Sequence, residues 1–338
     1  MKSWRISSIR KPNKKAVIPL LALLTMLAAV LSLCFGAEAI PIGEAVSAML
    51  RDDNTSKARW ILEYVRLPRT CACLLAGSAL AVAGVLIQSV LANPLAAPST
   101  IGVNSGAGLA VAIWCAVFPT GIRLMPFAAL FGAFAGVMLV MTVAEYAGSS
   151  KITLVLSGVA VSAIFSAGID AVVTFVPDAL NGYSDFRIGG FSNMSMEKMS
   201  VAVWLILGGI VLAMLMHNEL DVLMLGADQA QALGLPAKKL RIVFLALGAA
   251  LAGSAVSFSG LLGFVGLIVP HIMRQLVGEE SGMLIPSSAL GGACLLCLCD
   301  LLARVLFAPF ELSVGIVMSL LGGPFFIWLL AQRKGSHG

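Results

Sequence analysis

Charge is scarce in this chain. Only 12% of its 338 residues are Asp, Glu, Lys or Arg, against roughly 25% in ordinary soluble domains. Aromatics make up 7% and there are three histidines. So little charge over such a length excludes an ordinary water-soluble globular chain. Several signatures are missing as well. No G-x-x-x-x-G-K-[ST] occurs, so the chain does not cradle nucleotide phosphates itself. No HExxH and no paired catalytic carboxylates are found, which speaks against an intramembrane enzyme, and no catalytic residue is assigned. Seven cysteines are present, but Cys294, Cys297 and Cys299 lie in an apolar run without a histidine or second CxxC, and Cys71 and Cys73 are similar. They read as small packing residues; no metal site and no bound cofactor is expected.

What the chain has is apolar length. Hydrophobic residues make up 59% and the mean hydropathy is +0.98. Apolar runs at 16–35, 70–91, 100–118, 124–146, 152–176, 200–216, 240–258, 260–276, 284–307 and 313–332 approach the ~20 residues a bilayer helix needs. The expected fold is all-α: a polytopic membrane protein of about ten transmembrane helices, one domain over residues 1–338. Gly260, Gly263, Gly266 and Pro270 interrupt the eighth run, which reads as a broken or part-way helix buried among others. The first run reads as a transmembrane helix rather than a signal peptide, since no A-x-A site follows it convincingly. Lys2, Arg5, Arg10, Lys11, Lys14 and Lys15 form a basic tail at 1–15 that belongs in the cytoplasm. The tail sets orientation and is no nucleic-acid patch. With ten spans both termini are then cytoplasmic, and the inside segments collect the larger share of Lys and Arg.

The segment at 218–241 is the longest polar-bearing piece of the C-terminal half, placed in the cytoplasm by this topology. Glu219, Asp221, Asp228, Lys238, Lys239 and Arg241 would each cost ~3 kcal/mol at the membrane centre, so it lies in water. Residues 227–233 favour a short helix with an apolar side at Leu225, Ala230 and Leu233, stopped by Gly234 and Pro236. A short helix held on two spans is a handle by which an outside motor moves a bundle.

Other polar residues stand out against the apolar background. Arg66 and Arg69 flank Pro68 where the second run opens; such arginines either snorkel or dock an acidic partner. Gln88 is an amide within an apolar helix, and Asn93, Leu95 and Pro98 form an irregular elbow after it. Asp300 and Arg304 are four apart and expected to pair on one helix face. Asp170 either lines a path or bonds a neighbouring helix, and His271 reads as a polar residue beside a helix break. Small-residue steps at Gly77, Ala81 and Gly84, and at Gly132 and Gly136, suit close helix packing.

Taken together, RLPR at 66–69, ALAVAGVLIQ…NPLAAPSTIGVNSGAG at 79–108, LMLGADQAQALGLP at 223–236, GFVGLIVPHIMR at 263–274, DLLAR at 300–304 and ELSVGIVMSLLGGPFFIWLL at 311–330 resemble the FecCD permease family. These are membrane subunits of ABC importers for iron-siderophores, haem and cobalamin. The resemblance covers about 60–332. It implies a type II ABC importer permease in the bacterial cytoplasmic membrane, a second permease chain (a homodimer or a paralogue), two cytoplasmic ATPases carrying the ATP and Mg, and an extracytoplasmic substrate-binding protein. It further implies ATPase coupling by Leu225, Gly226, Asp228, Ala230, Leu233, Gly234, Leu235 and Pro236. Arg66, Arg69 and Arg304 match binding-protein docking positions, and Asn93, Leu95 and Lys151 match a cytoplasmic gate. Gln88 and Asp170 remain pathway candidates. The chain departs from the pattern in having Ala227 before Asp228, Ser313 in place of a proline, and FRIGGFSN where a Trp-containing stretch is usual. The cargo reading is an iron chelate, with cobalamin or haem as alternatives; an ion-coupled secondary transporter is the alternative of another class.

Overall fold

The computed structural model describes residues 14–36, 38, 57–119, 121–148, 151–306 and 308–334. Every regular element among them is helical. In chain order these are α1 (Lys14–Cys34), α2 (Leu67–Leu91), α3 (Val103–Val117), α4 (Met125–Tyr146), α5 (Lys151–Phe175), α6 (Ala179–Ile188) and α7 (Met196–Leu215). There follow α8 (His217–Met224), α9 (Ala227–Ala232), α10 (Ala237–Ser259), α11 (Val265–Val277), α12 (Ser281–Val305) and α13 (Val314–Lys334). Seven helices are long and apolar enough to cross a membrane, and α3, α11 and the apolar part of α13 are shorter apolar helices. The apolar runs read from the sequence each become one helix. The second begins earlier than its hydropathy suggests, because Lys57–Trp60 and a π-helical stretch, Ile61–Arg66, lead directly into α2.

Helix α2 is the axis of the bundle. From Ala79 to Leu91 every residue is buried, and α10, α11 and α12 all pack on it. Lipid supplies no hydrophobic drive between helices, so close backbone approach must hold them. A Cβ on Gly77 would overlap the Gly292 carbonyl of α12, and one on Gly84 would overlap the Gly266 carbonyl of α11. The step at Gly132 and Gly136 does the same for α4 against Gly106 of α3.

The eighth run is part-way, as its glycines foretold. Residues 260–264 are not helical, Gly260 and Phe264 have positive φ, and α11 starts only at Val265. Its 13 residues reach about 20 Å, short of the ~30 Å hydrocarbon core. The connection after α6 is threaded between this break and the start of α13. Leu261 N donates to Phe186 O at 2.8 Å, Gly190 N to Ser259 O at 2.8 Å and Gly315 N to Gly189 O at 3.2 Å. Ser313 Oγ also donates to Gly189 O, a bond that proline at this position could not make.

Candidate functional site

Three groups of the expected residues fall in three places. The first is the handle. It comprises two short helices rather than one, α8 and α9, joined at Gly226, whose φ of 125° favours glycine. α8 is amphipathic and buries Leu220 and Leu223. Its Asp221 Oδ1 accepts from Ser281 N at 2.9 Å, the first residue of α12, so the handle is tied to a second helix of the bundle that the sequence did not connect with it. α9 closes in a Schellman motif: Leu235 N donates to Ala230 O and Gly234 N to Gln231 O, both at 3.0 Å, with Gly234 at φ 81°. Ala230 is the buried contact of α9, whereas Leu225 and Leu233 are 62% and 64% exposed. The three residues expected on one apolar side are therefore split. Ala230 faces the chain, and the two leucines are left outward with Asp228.

The second group is the elbow after α2. Ala92 takes the left-handed conformation at φ 46°, Asn93 N donates to Gln88 O at 3.1 Å, and Asn93 Oδ1 accepts from Leu95 N at 3.0 Å. That Asx turn holds Leu95 half-buried beside the 3-10 turn Pro98–Ile101. Gly158 of α5 touches the same turn so closely that a Cβ there would overlap the Thr100 carbonyl. The elbow and α5 are thus in contact. Lys151 opens α5, and its side chain lies outside the described residues. Asp170, further along α5, is exposed.

Gln88 has a different task from the one its isolation suggests. Pro270 has no N–H, so within α11 the carbonyl of Gly266 loses its i+4 donor. Gln88 Nε2 donates to that carbonyl at 2.9 Å, and Gln88 Oε1 accepts from Arg274. Both the nitrogen and the oxygen of the amide are engaged inside the protein, tying α2 to α11.

The third group is a buried charge cluster where α1 ends, α2 begins and α12 ends. Asp300 is fully buried between two guanidiniums. Arg69 lies 3.0 Å from its Oδ1, and Arg304 lies 3.0 Å from its Oδ2, the expected i,i+4 pair. Arg69 also reaches Glu311 at 2.6 Å, whose side chain is 32% exposed. Arg66 and the other donors of Arg304 reach the carbonyls at the end of α1 and just beyond it: Arg66 to Leu33 O at 2.9 Å and Cys34 O at 2.7 Å, Arg304 to Ser32 O at 3.2 Å and Phe35 O at 3.2 Å. Cations at a helix C-terminus suit its dipole. Arg66, Arg69 and Arg304 are each no more than 3% exposed. They are not the open surface cations that a docking role suggests; in this conformation α1 and Glu311 cover them. Neither partner of the Arg69–Asp300 pair announces the other in sequence. All seven cysteines are free thiols, and among the described residues no group of three or more His, Cys, Asp or Glu could hold a metal ion.

A bundle of long apolar helices with a part-way helix and an amphipathic hairpin between two spans is the architecture of a multi-pass membrane protein. The FecCD transport family profile matches residues 23–332, and the chain belongs to that family. It is 37% identical to the hemin transport system permease protein HmuU of Yersinia pestis over 84% of this chain and 87% of that protein. It is 34% identical to the Fe(3+)-citrate import system permease protein YfmE of Bacillus subtilis over 95% and 98% of the two chains. A solved structure, described as an inward-facing conformation of a metal-chelate type ABC transporter, superposes with a TM-score of 0.83 at 28% identity, covering 94% of this chain and 99% of that one.

Proposed function

We propose that this chain is the transmembrane permease subunit of an ATP-driven importer for an iron chelate. In that reading it pairs with a second permease chain, two cytoplasmic ATPases that carry the ATP and Mg, and an external substrate-binding protein. Residues 1–338 act as one membrane domain with both termini in the cytoplasm. The reading rests on whole-length likeness to permeases whose names state hemin and Fe(3+)-citrate transport. Leu225 and Leu233, exposed on a hairpin anchored by Asp221, supply the grip for the ATPase. ATP-driven closure of the motor would bias the bundle between two packings. Asn93, Leu95 and Lys151 would close its cytoplasmic end, and Asp170 would face the path. Docking through Arg69 would require a partner carboxylate to replace Glu311, the one exposed member of its set.

The test is uptake into proteoliposomes holding this chain with its ATPase and binding protein, using labelled ferric citrate, a ferric hydroxamate, haem and cobalamin. ATP-dependent accumulation of one iron chelate is expected. Uptake that persists without ATP and stops when the proton gradient collapses would instead indicate an ion-coupled carrier. Haem as cargo is the second reading, favoured by the 37% identity to a hemin permease.

A further inference from the structure

Two cavities of the bundle share Lys198 and Ser257 in their linings. Lys198, in the first turn of α7, lines a cavity of about 210 Å³ between α4 and α7 and a second of about 250 Å³ under the α6–α7 connection. It is half-buried, and its Nζ donates to Asn193 O at 2.7 Å. Among the described residues it forms no ion pair. The neighbouring Glu197 is taken by Arg123, across the mouth of the first cavity. A cation partly withdrawn from water and lacking a counter-ion is costly unless an anion joins it.

The shape of the first cavity says which anion. Helices α4 and α7 both pack on α10 rather than on each other, so a groove runs between them. Its polar end holds Arg123, Glu197 and Lys198, and its walls are Phe127, Leu130 and Val201. Phe127 and Val201 are exposed. The polar end sits where two spanning helices begin, which is headgroup level, and the apolar walls lead toward the bilayer interior. In the first cavity two cations face one carboxylate and leave a surplus positive charge, while Asp185 lines only the second cavity.

We propose that the groove between α4 and α7 is a binding site for an anionic phospholipid, its phosphate held by Lys198 and Arg123 and an acyl chain laid along Phe127, Leu130 and Val201. A free phosphate would leave the apolar walls unused, and a zwitterionic headgroup would bring an ammonium of its own to a site already positive.

The experiment is native mass spectrometry of the purified full-length chain with phosphatidylglycerol or phosphatidylcholine of matched acyl chains. Retention of phosphatidylglycerol over phosphatidylcholine by about fivefold is expected, the equivalent of ~1 kcal/mol. Lys198→Met abolishes the preference. Glu197→Gln, which removes the carboxylate of the first cavity, increases it, a gain that a misfolded protein could not show. Equal retention of the two lipids overturns the proposal, as does a preference unchanged by Lys198→Met. Displacement of phosphatidylglycerol by millimolar inorganic phosphate overturns it too, by showing a site for a free anion.

Discussion

Gln88 of α2 donates to the Gly266 carbonyl of α11 at 2.9 Å, and that carbonyl needs a donor because Pro270 cannot supply one. Replacing Gln88 by Leu leaves a buried carbonyl unmet and removes the acceptor of Arg274, a loss of about 1–3 kcal/mol. Pro270→Ala restores an N–H to the same carbonyl, so the double variant should be destabilised by less than the two single losses added together. Thermal unfolding of the four proteins in detergent checks this as a double-mutant cycle. Additive losses would mean the two residues do not share the Gly266 carbonyl.

Asp300 stands between Arg69 and Arg304 with no access to water. Asp300→Ala should cost about 3–5 kcal/mol, because it leaves the buried Arg304 without a counter-ion and Arg69 with Glu311 alone. Exchanging all three residues for apolar ones of similar volume should cost much less, since the one charge then left without its partner, Glu311, is exposed to water. Comparing the unfolding temperatures of the single and triple variants decides it.

The glycines of α2 are not equivalent to glycine elsewhere in the bundle. Gly84→Ala should destabilise the protein by at least the ~1–3 kcal/mol of an overpacked core, because the new Cβ overlaps the Gly266 carbonyl. Gly208→Ala meets nothing within 4 Å and should leave yield and unfolding temperature unchanged. Expression and monodispersity of the two variants side by side are the readout.

The helices were legible from apolar run lengths, since a span must be long and apolar for reasons local to it. The break at 260–264 was legible too, in Gly260 and Gly263, and the hairpin in the charges at 218–241. The partners were not. Arg69 and Asp300 are 231 positions apart, and which arginine turns inward depends on how α1 and α12 settle beside α2. Asp221 reads as one more solvated charge until α12 brings Ser281 N to it. Gln88 reads as a path residue for the same reason: the carbonyl it serves belongs to another helix. α8 is not legible in the sequence because its buried side is only Leu220 and Leu223, too short for periodicity to register.

Leu225 and Leu233 offer apolar surface that folding alone does not require. Changing both to Ser should shift the unfolding free energy by no more than about 0.5 kcal/mol, because neither side chain is packed. In a transporter reconstituted with its ATPase, the same change should abolish substrate uptake while the ATPase retains its own hydrolysis. Undiminished uptake by a normally folded variant would remove these leucines from the coupling surface.

Asp221 separates anchoring of the handle from gripping by it. Asp221→Ala removes the side-chain acceptor for Ser281 N, the loss of a cap at the start of α12, for about 0.5–2 kcal/mol. Asp221→Asn keeps an acceptor oxygen and should recover most of that stability. If the hairpin passes motion into the bundle through α12, Asp221→Ala should lower ATP-driven uptake further than the stability loss explains, with Asp221→Asn close to wild type at equal protein levels. Both variants losing uptake alike would point to the charge rather than the hydrogen bond, and neither losing it would remove α12 from the route, leaving α7, which runs into α8, and α2 and α10, on which α8 packs.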